Sequence, residues 1–468
     1  MTVPGADLLA AWEQTRQALS DAPAVLDTRG AAQRTFADIE TEAAELAATA
    51  LSKFIAGSVV GIQIGNHPAW PAAWLACCRR GLVALPLERT ITPQEREAAL
   101  RVCHAAGLIT DTTDDQITTA SLAYEPVQWG EHVPILLKLT SGTTAAPRAI
   151  RFRSAQVVAD CTQICDTMGI TERDLNYGVI PVSHSYGFSN LITPLVVRGV
   201  PLVMSRDRMP RAVLDGLART GATVFPGMPV FYQAFCGLPN VPAMPRLRLC
   251  LSAGAPLPLP VAQRFRERFG HAIHSFYGSS ECGGICYDRE APLEQQGFVG
   301  QPMLGVELEP LDAGSSTTRI RVHSAAAGDG YFPEPDAACL GHGQFTPDDL
   351  MSETPAGFRI VGRASDLINV AGKKVNPAEV ETALLAFAGV REAVAFGRQS
   401  TLRNEEVSAC VVADAPVSEA ELLEFCRRRL SGWQVPKRIF FLTEMPVTER
   451  GKISRRALAK RFVTPSAL

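Results

Sequence analysis

The sequence predicts an α/β protein with a large N-terminal domain of mainly parallel sheets and flanking helices, followed by a small α+β C-terminal domain. From about residue 24 to residue 300, short apolar runs alternate with amphipathic helical patterns, which is typical of parallel strands buried on both faces. Near residue 363 the sequence becomes rich in charge and glycine, and a mixed pattern of about one hundred residues follows, a usual domain size. A chain of 468 residues is too long for one ordinary core.

The large domain begins with alternating strands and helices. In chain order they are the strand SVVGIQI, the helix PAWPAAWLACCRR, the strand LVALPL, the helix PQEREAALRVCHAAG and the strand LIT. Further apolar runs predict strands at YGVIPV, PLVMS, ATVFPG, LRLCLSAGA and AIHSFYG. Ligands of parallel sheets bind where strands end at the carboxyl edge. We expect three polar segments at this edge, LKLTSGTTAAPR, LSAGAPL and SFYGSSE.

The C-terminal domain has its own helix and strand signals. NPAEVETALLAF predicts a helix with Asn376 as its cap and Pro377 in its first turn. SEAELLEFCRRRL predicts a second helix, which Ser418 and Glu421 begin with a capping box. Strands are predicted at VREAVAFGR, EVSACVVAD and RIFFLTEM.

Composition and charge limit the classes of function. The formal net charge of −3 gives no electrostatic reason to expect nucleic acid or an anionic membrane as a partner. The most apolar stretch, LITPLVVRGVPLVM, is interrupted by two prolines and Arg198, so no membrane span is expected. The acidic N-terminal sequence matches neither a secretory signal nor a transit peptide. We therefore expect a soluble, cytoplasmic protein.

Cysteine usage fits the same compartment. Twelve cysteines are scattered without a disulfide framework, which predicts free thiols in a reducing environment. His271, His274, Cys282 and Cys286 nevertheless have a spacing that zinc can use. The segment among them, SFYGSSECGG, has a glutamate and glycines arranged for another purpose. We favour incidental thiols and imidazoles and keep zinc as the alternative.

The segment LKLTSGTTAAPRAI ends a predicted buried strand with small polar residues and then places Arg148 after them. Hydroxyls and exposed backbone N–H groups suit anionic oxygens, so the composition indicates a phosphate-binding loop. The P-loop spacing G-x-x-x-x-G-K-[ST] is absent, because Ala145, Ala146 and Pro147 occupy positions that it needs. A plain polar loop is the alternative.

Five motifs, in chain order, closely resemble those of the adenylate-forming superfamily of acyl-CoA synthetases, peptide-synthetase adenylation domains and beetle luciferases. The family loop [ST]-S-G-T-T-G-x-P-K is similar to residues 140–148, and Y-G-x-T-E to residues 277–281. T-G-D falls on residues 347–349, and G-R-x-x-D…G…V…E on residues 362–379. P-x-T-x-x-G-K corresponds to residues 446–452. The resemblance spans nearly the whole chain and is nearest in type to acyl- or aryl-CoA ligases.

The resemblance implies ATP- and Mg²⁺-dependent activation of a carboxylic acid to an acyl-adenylate, followed by thioester formation with coenzyme A. It implies a large ATP- and acyl-binding domain over residues 1–362, a hinge over 363–366 and a mobile lid domain over 367–468. Rotation about Ser365 is expected to admit the thiol after adenylation. Gly372 would let the backbone approach the pantetheine arm.

The catalytic roles are also implied by the resemblance. Carboxylate and phosphate are both anions, so positioning and charge neutralisation must supply most of the rate. Glu281 is the expected Mg²⁺ ligand, because a hard cation prefers oxygen, and Lys452 is expected to bridge the acid carboxylate and the α-phosphate. Arg363 would donate on the ribose side, and His184 would lie at the carboxylate end of the acid.

The nucleotide contacts follow in the same way. Residues 140–144 would wrap the β- and γ-phosphates, and Ser280 would offer its hydroxyl to the α-phosphate. Asp349 would accept hydrogen bonds from both ribose hydroxyls. Tyr277 would stack on one face of adenine, and the backbone of residues 254–256 would lie against the other face. The full set of expected cofactor-binding residues is Thr140, Ser141, Gly142, Thr143, Thr144, Arg148, Gly254, Ala255, Pro256, Tyr277, Gly278, Ser280, Asp349, Arg363, Gly372 and Lys452.

The chain departs from the family pattern at several positions. Ala145 replaces a usual glycine, and Arg148 replaces a usual lysine with a bulkier, flatter cation. Pro347 and Asp348 replace Thr-Gly ahead of the ribose acid, and Ser365 stands where the family usually has Asp or Lys. None of these changes removes a charge that the chemistry needs.

The acid is expected to bind along PVSHSYGFSN and FPGMPVFYQ. Amino-acid-activating relatives have an aspartate near the position of His184 or Ser185, and none is present here, so a fatty or aryl acid is expected. The side chains that indicate an apolar pocket are His184, Tyr186, Phe188, Phe225, Met228 and Phe231. Plain core packing is the alternative for at least half of them.

Other functions remain open. CLSAG at residues 250–254 nearly matches the G-x-S-x-G of serine hydrolases, although Cys250 replaces the first glycine. Within the enzyme class, a carrier protein's phosphopantetheine is the alternative to coenzyme A. A degenerate, nucleotide-sensing relative is the non-enzymatic alternative, because Arg148, Pro347 and Ser365 depart from the family pattern.

Overall fold

In a computed structural model of the chain, the described residues are 5–112, 114–140, 147–291, 296–312, 314, 317–400, 404–446 and 454–462. The chain forms two compact units. The larger comprises Met1–Glu309, Arg321–Pro347 and Thr354–Arg359, and the smaller comprises Pro310–Ile320, Asp348–Glu353 and Ile360–Leu468. The smaller unit therefore includes two short stretches that precede residue 360.

Local signals explain where several helices begin. Thr35 and Thr92 each accept a hydrogen bond from the backbone N–H three residues later, and Asp38 and Glu95 return the bond, which is the capping-box arrangement. The described helices are α1 (Ala6–Leu19), α2 (Phe36–Ala48), α3 (Trp70–Arg79), α4 (Pro93–Val102), α5 (Ser154–Met168), α6 (Ser185–Gly187), α7 (Thr193–Arg198), α8 (Pro210–Thr220), α9 (Pro229–Gly237), α10 (Leu259–Phe269), α11 (Pro377–Leu385), α12 (Glu419–Arg427) and α13 (Arg455–Arg461).

Strands occupy most of the predicted apolar runs. The described strands are β1 (Pro23–Leu26), β2 (Ala32–Thr35), β3 (Val59–Gln63), β4 (Val83–Pro86), β5 (Ala105–Asp111), β6 (Ile117–Ser121), β7 (Leu136–Leu139), β8 (Ala149–Phe152), β9 (Asn176–Gly178), β10 (Leu202–Met204), β11 (Val224–Gly227), β12 (Leu249–Ser252), β13 (Ile273–Ser279), β14 (Gly283–Tyr287), β15 (Phe298–Pro302), β16 (Val306–Pro310), β17 (Thr318–Ser324), β18 (Gly330–Phe332), β19 (Leu340–Gly341), β20 (Gln344–Phe345), β21 (Asp349–Thr354), β22 (Gly357–Arg363), β23 (Ile368–Val370), β24 (Lys373–Val375), β25 (Val390–Ser400), β26 (Asn404–Ala413) and β27 (Arg438–Phe441).

One sheet of the larger unit includes strands in the order β15-β14-β13-β12-β11-β9-β10-β1-β2. Neighbours from β13 to β1 in this order pair in parallel, as the apolar runs predicted. Buried side chains join these strands to α8, α9 and α10, and the largest of them are Tyr177, Phe225, Tyr232, Phe235 and Phe265. Because the strands are parallel, the loops after β11, β12 and β13 leave the sheet at one edge.

A second sheet of the larger unit has the order β18-β8-β7-β4-β3-β5-β6. β4 pairs in parallel with both β3 and β7, and every residue of β3 and β4 is buried. β8 pairs antiparallel with β7, with Leu139 opposite Ala149. Thr140 therefore stands where β7 leaves the carboxyl edge of this sheet.

The smaller unit has its own sheet, in which β24, β23, β26 and β25 follow one another and β27 pairs in parallel with β26. Buried residues of α11 and α12 pack with these strands in one core. Asn376 caps α11 by accepting from the Ala378 N–H at 3.1 Å, and Ser418 and Glu421 form the capping box of α12. Both cap predictions and the α+β composition of this domain are confirmed.

One predicted strand, YGVIPV, is shorter than expected. β9 ends at Gly178. From this point, the Asn66 side chain, rather than a neighbouring strand, forms hydrogen bonds with the backbone. Asn66 Nδ2 donates to the carbonyl oxygens of Gly178 and Ile180, and Asn66 Oδ1 accepts from the Val182 N–H. Pro181, which has no N–H to donate, also breaks the ladder here.

The apolar stretch LITPLVVRGVPLVM divides into α7 and β10. Gly199, at φ +68°, ends α7 after Arg198, a backbone conformation that favours glycine. No helix within the described ranges is long and apolar enough to cross a membrane.

Candidate active site

The predicted phosphate loop has a hydrogen-bonded base. The Thr140 N–H and hydroxyl both donate to the Arg148 carbonyl oxygen, at 2.8 and 3.2 Å. The ends of the loop are therefore held together where β7 and β8 meet. Four predicted phosphate-binding residues, Ser141, Gly142, Thr143 and Thr144, lie outside the described residues.

Tyr331 links the cation after this loop to the predicted magnesium ligand. Its ring lies under the Arg148 guanidinium, with Cζ 4.2 Å from the ring centroid, a cation–π contact. Its hydroxyl donates to Glu281 Oε1 at 3.2 Å. Burial, together with the Glu281 charge, raises the pKa of Tyr331, so the phenol keeps its proton and acts as a donor to the carboxylate.

Ser280 and Glu281 stand on the turn between β13 and β14. At Gly278, β13 shifts register against β14, and a Cβ there would lie 2.6 Å from the Gly283 carbonyl oxygen. Only glycine allows this close backbone approach. Tyr277, the residue predicted to stack on adenine, is half-buried in β13.

Ser185 brings a second segment to this turn. Its hydroxyl donates to Ser280 Oγ at 2.9 Å. His184, exposed at the N-cap of α6, accepts a hydrogen bond on Nδ1 from the Tyr186 N–H at 3.3 Å. His184, which is predicted to lie at the carboxylate end of the acid, is therefore the sequence neighbour of Ser185, which contacts Ser280.

The segment at 254–256 leaves the carboxyl edge of the sheet after β12. Gly254 has φ +82°, and Gly254, Ala255 and Pro256 are all exposed. The Met228 methyl group lies 3.7 Å from where a Gly254 Cβ would stand. Since β11 and β12 are parallel neighbours, the Met228 and Gly254 loops leave the sheet side by side.

The aromatic side chains predicted for the acid pocket fall into two groups. Phe188 is 1% exposed and packs edge-on against Trp70 and Trp74, while Phe225 is buried in the aromatic core. Tyr186 lies at the edge of the sheet, where its hydroxyl donates to the Gly227 carbonyl oxygen at 3.2 Å. Phe188 and Phe225 are core residues, and half-buried Tyr186, Met228 and Phe231 remain for a pocket.

In the smaller unit, two predicted nucleotide-binding residues are paired. Arg363 Nε donates to Asp349 Oδ1 at 3.1 Å. Burial opposes the charged form of Arg363, but the Asp349 carboxylate outweighs burial and raises the pKa of Arg363. Ser365, the predicted pivot, donates to Asp348 Oδ2 from its N–H at 3.2 Å and also from its hydroxyl.

The other predicted residues of this unit are less constrained. Gly372 has φ +87° and donates its N–H to Asn369 Oδ1 at 2.9 Å, with open space where a side chain would stand. Lys452, the predicted catalytic lysine, lies outside the described residues.

The geometry also bears on the zinc and hydrolase alternatives. His274 Nδ1 bonds the Asp288 carbonyl oxygen at 2.9 Å, and its ring stacks on Tyr287. Among the described residues, no three His, Cys, Asp or Glu side chains form a group that suits a metal ion.

Ser252, the serine of CLSAG, is 3% exposed, and in the described part of the chain its Oγ has no hydrogen-bond partner. A nucleophilic serine needs a base within hydrogen-bond reach.

Tyr331 and Ser185 are the contacts that sequence reasoning missed. Tyr331 lies 50 positions from Glu281, and Ser185 lies 95 positions from Ser280, so no local spacing connects either pair. Ser185 was adjacent to the predicted His184, which was the available signal. Tyr331 lies in GDGYFPEP, which is outside all five motifs.

Comparison with known proteins agrees with these features. Residues 12–323 match the family of AMP-binding enzymes, and residues 379–452 match the AMP-binding enzyme C-terminal domain. Feruloyl-CoA synthase of an Amycolatopsis species is 29% identical over 432 residues, which are 85% of this chain and 87% of the relative. A 3,4-dihydroxybenzoate–[aryl-carrier protein] ligase of Bacillus anthracis is 26% identical over 342 residues, 73% of this chain and 77% of the relative.

The fold is also that of solved adenylate-forming enzymes. The o-succinylbenzoate CoA synthetase of Bacillus subtilis, in complex with its acyl-adenylate intermediate, superposes with a TM-score of 0.81 and 24% identity. The match covers 96% of this chain and 97% of that one. The family match alone extends over more than half of the sequence. The chain belongs to the AMP-binding enzyme family.

Proposed function

We propose that the protein is an acid–thiol ligase, which uses ATP and Mg²⁺ to convert a carboxylic acid to an acyl-adenylate and then transfers the acyl group to coenzyme A. The observation that carries this proposal is the contact of Tyr331 with both Arg148 and Glu281. It brings a cation for phosphate and a carboxylate for a metal to one place, beside the base of the predicted phosphate loop.

Glu281 suits a hard divalent cation. Its carboxylate accepts from the neutral Tyr331 hydroxyl, and in the described part of the chain no lysine or arginine forms a salt bridge with it. Its negative charge therefore remains available to a metal. Mg²⁺, when bound, would neutralise charge on the triphosphate.

The chain's own groups would then handle the adenylation. The acid carboxylate attacks the α-phosphorus, the bond from that phosphorus to the leaving oxygen breaks, and pyrophosphate departs. Arg148 and the hydroxyl-rich loop after Thr140 would hold the departing phosphates, and Ser280 would donate to the α-phosphate. Lys452 would bridge the two anions that react. Each of these donors stabilises charge that grows in the transition state.

Asp349 and Arg363 would bind the ribose, because a carboxylate accepts from two hydroxyls while the guanidinium holds it in place. We propose residues 1–362 as the nucleotide- and acid-binding domain, 363–366 as the hinge and 367–468 as the lid. Ser365 would be the pivot, and its bonds to Asp348 would break and re-form during rotation.

We propose an aryl or fatty acid as the substrate. Half-buried Tyr186, Met228 and Phe231 support an apolar pocket, and the named relatives act on feruloyl and dihydroxybenzoate groups. The aryl class is favoured by those relatives. The reaction would take place in the cytoplasm, and nucleic acid is not an expected partner.

A carrier protein's phosphopantetheine is the second candidate for the acceptor, because one relative is an aryl-carrier protein ligase. Coenzyme A is preferred on the first relative, a CoA synthase. Open space where a Gly372 side chain would stand supports the approach of a pantetheine arm from either acceptor.

The test is release of pyrophosphate from ATP and Mg²⁺ with a panel of aryl and fatty acids, with and without coenzyme A. Acid-dependent pyrophosphate release, followed by an acyl-CoA thioester, is expected. Thioester formed only on a phosphopantetheinylated carrier protein would select the second acceptor. ATP binding without pyrophosphate release for any acid would identify a degenerate, nucleotide-sensing relative.

A further inference from the structure

A lysine and an aspartate are buried close together in the larger unit, outside the motifs that indicate adenylation. Lys138, on β7, is 7% exposed, and Asp160, on α5, is 4% exposed. Lys138 Nζ donates to Ser189 Oγ at 3.3 Å, and Ser189 Oγ donates to Asp160 Oδ2 at 2.5 Å. The ammonium also lies 4.8 Å from the Phe152 ring centroid.

Lys138 and Ser189 belong to two segments that lead to the candidate site, and Asp160 contacts a third. Lys138 precedes Thr140, the base of the phosphate loop, by two residues. Ser189 lies in a π-helical turn, Phe188–Ile192, directly after α6 and its Ser185. π-helical turns are often found at functional sites.

Asp160 reaches the third segment, the turn that carries Glu281. Its Oδ1 accepts from the Gly284 N–H at 3.2 Å. Gly283 has φ +69°, and a Cβ there would lie 1.9 Å from Asp160 Oδ1. The carboxylate is therefore packed directly against the backbone that follows Glu281.

The two charges depend on each other. Burial lowers the pKa of Lys138 and raises the pKa of Asp160, and the opposite charge of the partner offsets only part of each effect. The other ionisable groups that act on Lys138 are Cys282 and Glu281. Lys138 and Asp160 are joined through Ser189. Replacing buried opposite charges by apolar residues is often neutral or stabilising, so stability alone gives little reason for these two charges. The hydrogen bonds that link Lys138, Ser189 and Asp160, by contrast, fix the distances between the segments that they join.

We propose that Lys138 is a positioning residue for adenylation, which acts with Ser189 and Asp160 as a buried brace. The brace sets the spacing between Thr140 at the base of the phosphate loop, the Ser185–Ser280 contact and the Glu281 turn. Lys138 is too deeply buried to contact the substrate itself. The inference rests on the proposed function of Glu281 and of the loop.

The test compares K138M with the double variant K138M/D160N. Methionine keeps an unbranched chain of similar length without the charge. K138M is expected to lower kcat for pyrophosphate release about 10- to 100-fold and to raise the Mg²⁺ requirement, while thioester formation from supplied acyl-adenylate changes less than about twofold. The double variant, which has no unpaired buried charge, is expected to regain wild-type thermal stability but not adenylation.

R248M is the matched control, since it breaks the ion pair of Arg248 with buried Asp174 at the amino end of β12, away from the carboxyl edge. It is expected to lower stability with no change in the ratio of the two half-reactions. Recovery of adenylation in the double variant, or equal loss of both half-reactions in K138M, would overturn the brace. Wild-type protein that releases no pyrophosphate with any acid would instead overturn the proposed function, on which the brace depends.

Discussion

The Tyr331 hydroxyl donates to Glu281 Oε1 at 3.2 Å while the ring of Tyr331 lies under the Arg148 guanidinium. A single side chain on β18 thus connects the cation that follows the phosphate loop to the carboxylate proposed to bind Mg²⁺. The link is made by a neutral donor, which orients the carboxylate without cancelling its charge.

Y331F tests this link. Phenylalanine keeps the ring beneath Arg148 but removes the donor, and a hydrogen bond to a charged group contributes about 1.5–3 kcal/mol. We expect a higher Mg²⁺ requirement. We also expect adenylation to be slowed about 10- to 100-fold, which is the rate factor that corresponds to the energy of this hydrogen bond. Y124F is the matched control, because Tyr124 donates to Glu97 at 2.6 Å on the surface. Equal behaviour of the two variants would show that the Tyr331–Glu281 bond has no role in catalysis.

E281Q tests the metal ligand itself. A neutral amide is a poor ligand for a hard cation, so the Mg²⁺ requirement is expected to rise and adenylation to slow by at least about 100-fold. Titration of pyrophosphate release against Mg²⁺ measures both effects. Unchanged Mg²⁺ dependence would make Glu281 a structural turn residue and would contradict its proposed role as the metal ligand.

Sequence reasoning predicted the fold well because its signals are local. The buried runs at β3 and β4, the Asn376 cap and the Ser418–Glu421 box each depend on neighbouring residues only. YGVIPV failed as a full strand because Asn66, far away in sequence, bonds its backbone. Tertiary contacts of this kind are invisible in a local pattern.

The same distinction applies to the candidate site. Glu281, Asp349 and Arg363 could be predicted as site residues because the residues of each motif are close in sequence, and their roles stay predictions. Tyr331 and Lys138 were not found, since their partners Glu281 and Ser189 lie 50 and 51 positions away. The one signal for Lys138 was a single cation inside the apolar run LLKL.

K452A tests the lysine proposed to bridge the acid and the α-phosphate. Its charge would act only while two anions are brought together, so adenylation is expected to fall by at least about 100-fold. Thioester formation from supplied acyl-adenylate should remain largely intact. K460A, on exposed Lys460 of α13, should leave both half-reactions unchanged. Loss of both half-reactions in folded K452A would contradict the assignment.

S365P tests the proposed pivot. Proline fixes φ near −65° and removes the N–H that donates to Asp348 at 3.2 Å, whereas a hinge must absorb a large change in backbone angles. We expect one half-reaction to survive and the other to fail. S365A, which loses only the hydroxyl, should retain both. Equal retention of both half-reactions in S365P would rule out a rotation about this residue.

In the proposed reaction, a carboxylate oxygen of the acid attacks the α-phosphorus of ATP and leaves with AMP. An acid labelled with ¹⁸O in its carboxylate tests this directly. Attack forms an ¹⁸O bridge between the acyl carbon and phosphorus, and the thiolate of coenzyme A then attacks the acyl carbon and releases the bridging oxygen on AMP. Mass spectrometry of the AMP is therefore expected to find one ¹⁸O atom per molecule, in equal amount to the acyl-CoA. Unlabelled AMP, or ADP and phosphate in its place, would contradict the mechanism.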